Sequence, residues 1–439
     1  MLIALPEVAT STVPDAASVP AEPPRLRRAD RSQVLLRPCS LEELLGEDHV
    51  ARIVWSLVEA WDLSAFHAQL LARGERPGRA ATDPRILLSI WLLGSIQGYS
   101  SGRELTRLCE EHDAYRWLCG GVSVNYHTLN DFRVEHEKAL DSLLTQMIAA
   151  LMSQDLVEVE RISQDGMRVR ASAGRGSFKT RPTLEKCLQE AEAHVETLKQ
   201  QADDAAMPAR RKAADERCAR ERLERVQKAI EQVKEVEAAK AKQKAKPSKE
   251  NPAKASATDP EARQMRMPGG GSAPGYNVQF AAATEGRAIL GVDVTNAGSD
   301  VHESQPMRQQ VQERTGVAVK EELMDGGFVS LDEITAAAEQ QVTVLAPVPK
   351  PKNPAVDRHK PKQGDSEAVK EWRQRMGTEA AKEAYKDRAA TSETVNGECR
   401  VYRGLGTILV RGIRKVRCAA LLSALAYNIV HFGLQLAVT

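Results

Sequence analysis

A carboxylate flanked by arginines is the feature of this sequence with the clearest chemical potential. The run from Tyr385 to Arg403 places Glu393 between Arg388 and Arg400. If this run is helical, residues three, four and seven apart share a face, so Glu393 lies on the same face as Arg400. Such a face could hold a metal ion together with a phosphate, although the same pattern is common on solvated helix surfaces.

Asp165 is a second candidate for chemistry. From Val157 to Ala171 apolar and polar residues alternate, which predicts a β-strand with Asp165, Met167 and Val169 on one side. A carboxylate on a core-facing side of a strand is unusual unless it is paired or binds a metal ion. The Asp165-Gly166 dipeptide is also typical of a simple turn, so the local pattern leaves both interpretations open.

The order of elements in the second half of the chain determines which acidic residues can meet. Further strands are predicted at Tyr276–Ala283, Ala288–Val294, the segment that ends near Asp325, and Val342–Pro347, with helices at Val301–Thr315, Leu331–Gln340 and from about Ser366 onward. Strand, two-stranded hairpin, helix, strand, helix, strand, helix is the order of a ribonuclease H-like α/β fold, a mixed five-stranded sheet with helices on its faces. In such a sheet the first and fourth strands are neighbours, so Asp165 and Asp325 should lie side by side, with Glu393 reaching them from a later helix.

Three such carboxylates suit Mg²⁺, which prefers hard oxygen ligands, and Mn²⁺ is also compatible with them. Two ions about 4 Å apart can clamp the attacking and leaving oxygens of a displacement at phosphorus. Arg388 and Arg400 would neutralise phosphate charge or hold the strand. Arg403 and Lys415, further along the same basic segment, are weaker candidates for contacts with a DNA backbone.

The charge distribution favours a polyanionic partner. The 439-residue chain has a formal net charge of only +1, and its 28% charged and 42% apolar residues are ordinary for a soluble globular protein. Residues 350–417, however, contain 17 Lys plus Arg against 9 Asp plus Glu, a net of +8. A basic block in a neutral chain indicates a surface that binds nucleic acid, although a solvated basic surface has the same composition.

The seven cysteines are scattered and show no CxxC spacing, which argues against a disulfide framework or a zinc site and indicates a reducing compartment. No secretory signal is recognisable at the N-terminus. The apolar stretch from Cys418 to Val438 contains Asn428, His431 and Gln435, so a buried or amphipathic closing helix is predicted rather than a membrane span.

The first half of the chain is predicted to be helical after a disordered leader at residues 1–34. Helical apolar spacing recurs within residues 35–152, with Pro84 at a first helical position and Ser100 or Ser101 as a later cap. Short helices separated by Gly120-Gly121 are compatible with a DNA-binding helix-turn-helix and equally with a plain helical bundle.

An insertion interrupts the sheet region at residues 183–255. Apolar residues at four-three spacing from Leu184 to Leu198 and from Leu223 to Val233 predict an antiparallel helical hairpin or short coiled coil, broken near Pro208. Its simplest role is a structural or dimerising arm. The Lys-rich stretch from Lys240 to Lys254 is predicted to be a flexible basic linker.

Several motifs together resemble bacterial insertion-sequence transposases of the DDE type, in the subgroup with a helical N-terminal domain. The similarity runs from about residue 35 to the C-terminus. It is carried by TDPRILLSIWLLGSIQGYSSGRELTRLCEEHDAYRWLCGG, HTLNDFR, SQDGMRVRASAG, TDPEARQM, GYNVQFAA, DVTNAGSD, MDGGF, YKDRAATSETVNGECRVYRG and AYNIVHF. Each motif is weak alone, but their combination is specific.

The resemblance implies that Asp165, Asp325 and Glu393 are the catalytic, metal-binding triad of residues 153–439, and that Tyr385, Arg388 and Arg400 accompany Glu393. It implies Mg²⁺-dependent cleavage at terminal inverted repeats and joining to target DNA, by a homo-oligomer on DNA in the bacterial cytoplasm. This chain departs from the wider group at Met167, where Thr is common, and at Gly326-Gly327-Phe328, where a Tyr usually ends the motif.

The step from Arg388 to Glu393 is also one residue longer than in several related subgroups. The alternative from another functional class is a catalytically inactive, DNA-binding derivative that represses transposition or acts as a domesticated regulator.

Overall fold

The computed structural model describes residues 32, 38, 40–70, 80–200, 209–242 and 252–437. The predicted disordered leader, residues 1–34, lies outside the described residues apart from Ser32. From Leu41 to the C-terminus the chain forms one compact unit.

Seven helices make up the described part of the chain before the sheet. They are α1 (Val50–Ala60), α2 (Ser64–His67), α3 (Pro84–Ile96), α4 (Gly102–Glu111), α5 (Asp113–Cys119), α6 (Tyr126–Glu135) and α7 (Glu137–Ser153). Their starts follow the capping signals in the sequence. The Asp83 side chain accepts a hydrogen bond from the Arg85 N–H at the start of α3, and Ser101 accepts one from the Glu104 N–H at the start of α4.

The rest of the described chain alternates strands and helices. The strands are β1 (Arg161–Arg170), β2 (Phe178–Lys179), β3 (Ala255–Ser256), β4 (Arg263–Arg266), β5 (Ser272–Ala283), β6 (Ile289–Thr295), β7 (Glu321–Leu323) and β8 (Thr343–Leu345). The helices are α8 (Arg181–Gln200), α9 (Ala209–Lys242), α10 (Ser304–Thr315), α11 (Leu331–Glu339), α12 (Glu367–Arg375), α13 (Glu379–Arg388), α14 (Thr394–Tyr402) and α15 (Ile413–Ala437).

The central sheet has the ribonuclease H-like order. Strand β5 pairs antiparallel with β6 and with β1, while β7 pairs parallel with β1 and β8 pairs parallel with β7. This confirms the predicted mixed α/β sheet, with the first strand beside the fourth of the predicted order. A sixth short strand, β4, pairs antiparallel with the start of β5 and was not predicted from the sequence.

Helix α15 lies at the centre of the molecule. It contacts α1, α3, α6 and α7 on the helical side, and β5 and β6 on the sheet side. By length and composition it could cross a membrane, but 67% of its most apolar stretch is buried inside the protein, as in a core helix. Its buried Asn428 bonds through its side chain to both the N–H and the C=O of Ile289 at the start of β6. This pairing explains a polar residue in an apolar helix.

The predicted helical hairpin is present as α8 and α9. Ion pairs join Arg181 to Glu237 and Glu190 to Arg222, so the two helices run antiparallel. Leu184, Ala229 and Val233 are buried between them in a cluster separate from the main core. Strands β2 and β3 pair antiparallel at the base of the hairpin. Residues 201–208 and 243–251, which include Pro208 and most of the predicted linker, lie outside the described residues.

Candidate active site

The sheet register brings Asp165 and Asp325 together. Strands β1 and β7 run parallel, and Ser163 is paired with Leu323 at the last position of β7. Asp165 and Asp325 each follow two residues later, so both project from the same end of this strand pair. The side chain of Asp165 is 18% exposed. Asp325 Oδ1 accepts a hydrogen bond of 2.6 Å from the Gly327 N–H, which fixes the turn after β7.

Arg388 connects this strand pair to Glu393. Its Nη2 lies 3.2 Å from Asp165 Oδ2, and its Nη1 lies 3.4 Å from Glu393 Oε1. The Arg388 side chain is 12% exposed, whereas that of Glu393 is 65% exposed at the rim of the site. The guanidinium therefore lies between two of the three predicted triad carboxylates and places a positive charge where their negative charges meet.

A π-helical turn positions Glu393. Helix α13 ends at Arg388, residues Ala389–Glu393 form the π turn, and α14 continues from Thr394. Ser392, inside this turn, is buried, and its Oγ lies 2.5 Å from Ser163 Oγ on β1. A π turn accommodates one extra residue in a helix and is frequent at functional sites. It thus absorbs the longer step between Arg388 and Glu393 without separating their side chains.

The pKa of Asp165 reflects its burial first and the neighbouring charges second. Burial raises the pKa of Asp165 from 3.8 to about 6, the Arg388 guanidinium opposes this, and the nearby charges of Asp325 and Asp300 raise the pKa further. An oxygen-rich, electronegative position of this kind favours a cation over a proton once a cation is supplied.

A buried polar group beneath Gly166 is a part of the site that sequence reasoning missed. Asp300 Oδ1 accepts hydrogen bonds from Asn277 Nδ2 and, at 2.8 Å, from Gln279 Nε2, and Arg168 pairs with Asp300 at 3.3 Å. A Cβ at Gly166 would lie 2.7 Å from Asn277 Oδ1 and closer still to Asp300 and Gln279. A larger residue at position 166 would have to displace these hydrogen-bonded side chains, which favours glycine after Asp165.

The signal for this group was available in the sequence. Asn277 and Gln279 belong to GYNVQFAA and Asp300 ends DVTNAGSD, two motifs that carried the family resemblance without an assigned role. The three side chains hold the backbone next to Asp165 from the opposite face of the sheet, since Gly166 pairs with Gln279 and Arg168 with Asn277. They are positioning residues.

Tyr385 and Arg400 lie on either side of this centre. The Tyr385 hydroxyl donates a 3.2 Å hydrogen bond to the Met324 carbonyl oxygen, next to Asp325, and burial raises the pKa of Tyr385. Arg400 Nη2 donates to the Arg168 carbonyl oxygen at 3.4 Å. Strand β1 pairs with β7 only over Arg161–Ser163, so Arg400 lies along the β1 edge that β7 leaves free.

Two predicted DNA contacts lie away from the carboxylates. Arg403 is 12% exposed, pairs with Glu398 and donates a 2.6 Å hydrogen bond to the Ile96 carbonyl oxygen at the end of α3. These contacts join α14 to α3. Lys415 lies on the first turn of α15 and lines a cavity that also contains Arg103 of α4. The structure therefore gathers Tyr385, Arg388 and Arg400 near the triad but not Arg403 or Lys415.

The side chains at this site offer the type of ligand atom that Mg²⁺ prefers. Asp165, Asp325 and Glu393 supply hard carboxylate oxygens, and the crowding around Asp165 provides the negative potential that a divalent cation requires. Among the described residues, however, no three His, Cys, Asp or Glu side chains converge closely enough to hold a metal ion in the arrangement observed. The Arg388 guanidinium lies between Asp165 and Glu393 in this arrangement.

The fold and site define a ribonuclease H-like protein with an acidic cluster at the end of its central parallel strands. Comparison with protein families gives a more specific assignment. Residues 39–135 match a transposase domain (DUF772), and residues 352–432 match a transposase DDE domain that contains Arg388, Glu393 and Arg400. Both matches support an insertion-sequence transposase of the DDE type. No curated protein and no solved structure gives a significant match.

Proposed function

We propose that this transposase cuts DNA at the terminal inverted repeats of its element and joins the ends to target DNA by metal-dependent phosphoryl transfer at Asp165, Asp325 and Glu393. The observation that carries the proposal is that Arg388 pairs with both Asp165 and Glu393, while Asp165 and Asp325 follow the same end of two adjacent parallel strands. Residues 153–439 form the catalytic part, with 183–255 as its insertion, and residues 35–152 contribute to DNA binding.

Asp165 and Asp325 would hold Mg²⁺ or Mn²⁺ from adjacent strand ends, and Glu393 would complete the ligand set from the rim. Bound divalent ions lower the pKa of a water or a 3′-hydroxyl and stabilise the departing oxygen at phosphorus. The polar group of Asn277, Gln279 and Asp300 keeps the Asp165 backbone in place during the reaction.

The three residues around the triad have separate tasks. Arg388, which pairs with Asp165 and Glu393 here, would pair with a DNA phosphate when those carboxylates hold a cation, and a guanidinium fork is well suited to this contact. Arg400 binds the backbone along the free edge of β1. Tyr385 anchors α13 to the residue before Asp325, and its ring borders the DNA path.

The reaction sets the expected partners and location. The substrate is duplex DNA: the terminal repeats are cut first, and the target is joined second. Both ends of the element have to be held by copies of this chain, so a homo-oligomer forms on DNA. The protein works in the bacterial cytoplasm, associated with the nucleoid.

A cleavage assay tests the proposal. A duplex that carries the inverted repeat found beside the gene is incubated with the purified protein and Mg²⁺, and strand breaks are mapped on a sequencing gel. Asp165→Asn and Glu393→Gln are expected to lower the cleavage rate by at least about 10³-fold, because each removes a charged ligand, while binding of the duplex persists.

Glu383→Gln is the matched control, since Glu383 lies on α13, is exposed and pairs only with Lys386 among the described residues. It should cleave like the wild type. Cutting that survives Asp165→Asn at the wild-type rate assigns the chemistry to other residues. A wild-type protein that binds the repeat but never cuts it, with either metal, supports the inactive DNA-binding derivative instead.

A further inference from the structure

A cavity of about 550 Å³ lies between the helical region and the start of α15, separate from the carboxylate cluster. The first turn of α4 and one face of α6, from Tyr126 to Val134, border it on one side, and Arg411 and Lys415 border it on the other. The two helices approach closely here, because a Cβ on Gly102 would lie 2.5 Å from Asn130 Oδ1. The cavity therefore combines residues from both regions that match transposase domains.

A buried arginine without a counter-ion lines this cavity. Arg133 of α6 is 6% exposed, its guanidinium lies 4.5 Å from the centre of the Trp91 ring, and its Nη1 donates to the Ser100 carbonyl oxygen. Its Nε has no hydrogen-bond partner, and no carboxylate pairs with it in the described part of the chain. Burial lowers the pKa of Arg133 to about 10, so it stays charged at neutral pH. An anion would stabilise a buried cation of this kind further, and none of the described residues supplies one.

Exposed cations surround this arginine. Arg103, Arg411 and Lys415 line the cavity and form no ion pair within the described ranges, and the Arg103 guanidinium lies 5.1 Å from the centre of the Tyr126 ring. The acidic side chain in the lining is Asp131, so the positive charges outnumber the negative. Cationic and aromatic side chains at the starts of two ten-residue helices form a surface suited to phosphate groups.

The cavity is connected to the active site by one edge of the sheet. Arg411 Nε donates a 3.0 Å hydrogen bond to the Ser172 carbonyl oxygen just after β1, and Arg400 donates to Arg168 on β1 itself. Asp165 lies seven residues before Ser172, which corresponds to roughly 20 Å of extended chain. A duplex with its scissile phosphate at Asp165 would thus reach the cavity about six base pairs away.

We propose that this cavity binds backbone phosphates of the duplex whose end lies in the active site, through Arg103, Arg133, Arg411 and Lys415. This inference rests on the proposed function and adds a second, sequence-independent anchor to it. The anchor fixes how far the DNA enters the site, because its contacts are to phosphates rather than to bases.

The test measures DNA binding by the full-length Asp165→Asn protein, which should not cut, using fluorescence anisotropy. The probes are the repeat duplex and an unrelated duplex of equal length. Adding Arg103→Ala or Lys415→Ala should weaken binding about tenfold for both probes, and each should lower the slope of log K against log salt by about one. In phosphate ethylation interference, sensitive phosphates should lie about six base pairs from the cut.

Arg107→Ala is the control, because Arg107 lies one turn further along α4, is equally exposed, and pairs with Glu111 outside the cavity. Arg103 and Lys415 are exposed, so these variants should melt like the parent in circular dichroism. If Arg103→Ala and Lys415→Ala bind DNA as tightly as Arg107→Ala, the cavity is not a DNA anchor, while cleavage by the wild type leaves the proposed function intact. A wild-type protein that binds neither probe contradicts the proposed function itself.

Discussion

Arg388 compensates negative charge at the acidic cluster. Its guanidinium contacts Asp165 and Glu393 at once, and its Nε has no hydrogen-bond partner among the residues that the structure describes. Without this charge, carboxylates from β1 and the π turn would repel each other across a partly buried space. Under the proposed function, a divalent cation would need the carboxylate oxygens that Arg388 contacts, so Arg388 would then turn to a DNA phosphate.

At the scale of single residues, the first prediction concerns how the unfolding free energy depends on pH. The pKa of Asp165 is raised to about 6, chiefly by burial. A carboxyl whose folded-state pKa is raised stabilises the fold at low pH, and this contribution is lost as the pH rises from about 4 through about 6. The wild type should therefore lose up to about 3 kcal/mol of unfolding free energy relative to Asp165→Asn across this window. Urea unfolding in metal-free buffer from acid to neutral pH measures the difference.

The exposed Asp332→Asn on α11 serves as the reference for this experiment, and its curve should parallel that of the wild type. Superimposable curves for Asp165→Asn and the wild type would mean that Asp165 is better solvated than its 18% side-chain exposure indicates.

At the level of elements, the strands and helices that carry the triad were predictable, but their local distortions were not. Alternation from Val157 to Ala171 predicted β1, which spans Arg161–Arg170. The helical pattern around Glu393 predicted a continuous helix, whereas the structure contains the π turn Ala389–Glu393. That turn depends on the contact between Ser392 and Ser163, which are 229 positions apart, and no local pattern encodes such a contact.

A buried ion pair stabilises the short strand that leads to Asp325. Glu322 of β7 is fully buried and pairs with Arg308 of α10, which is 4% exposed. Glu322→Ala leaves the arginine buried without its partner, so we expect a loss of about 3–5 kcal/mol of unfolding free energy and a lower cleavage rate. Denaturant unfolding measures the first effect.

The exposed pair of Glu367 and Lys370 on α12 provides the comparison, and Glu367→Ala should cost less than about 0.5 kcal/mol. Equal, small losses in the two variants would show that the β7 pair contributes nothing beyond a surface pair.

At the scale of the whole molecule, the excess of Lys and Arg in residues 350–417 is real, but several of these cations form ion pairs within the protein. Of the charges in residues 350–417, Arg373 pairs with Asp365, Arg403 with Glu398 and Arg417 with Glu137, so these hold the fold together. Composition cannot distinguish such paired cations from free ones. Composition also could not show that Arg411 and Lys415 line the same cavity as Arg103 and Arg133. This cavity lies between distant parts of the chain that the central helix α15 brings together.

The helical hairpin offers a test of assembly that spares the catalytic core. Lys179 of β2 pairs with Ala255 of β3, so residues 180–254 can be replaced by an Asn-Gly turn that closes the two strands directly. The buried cluster of the hairpin is separate from the main core, but α9 also pairs with Arg263 of β4 through Gln232 and Glu235, so the shortened protein should fold with a loss of about 1–2 kcal/mol. If the hairpin joins copies of the chain, the shortened protein should sediment as a smaller species on repeat DNA than the full-length protein. An unchanged oligomer, with folding intact, would restrict α8 and α9 to a structural role within one chain.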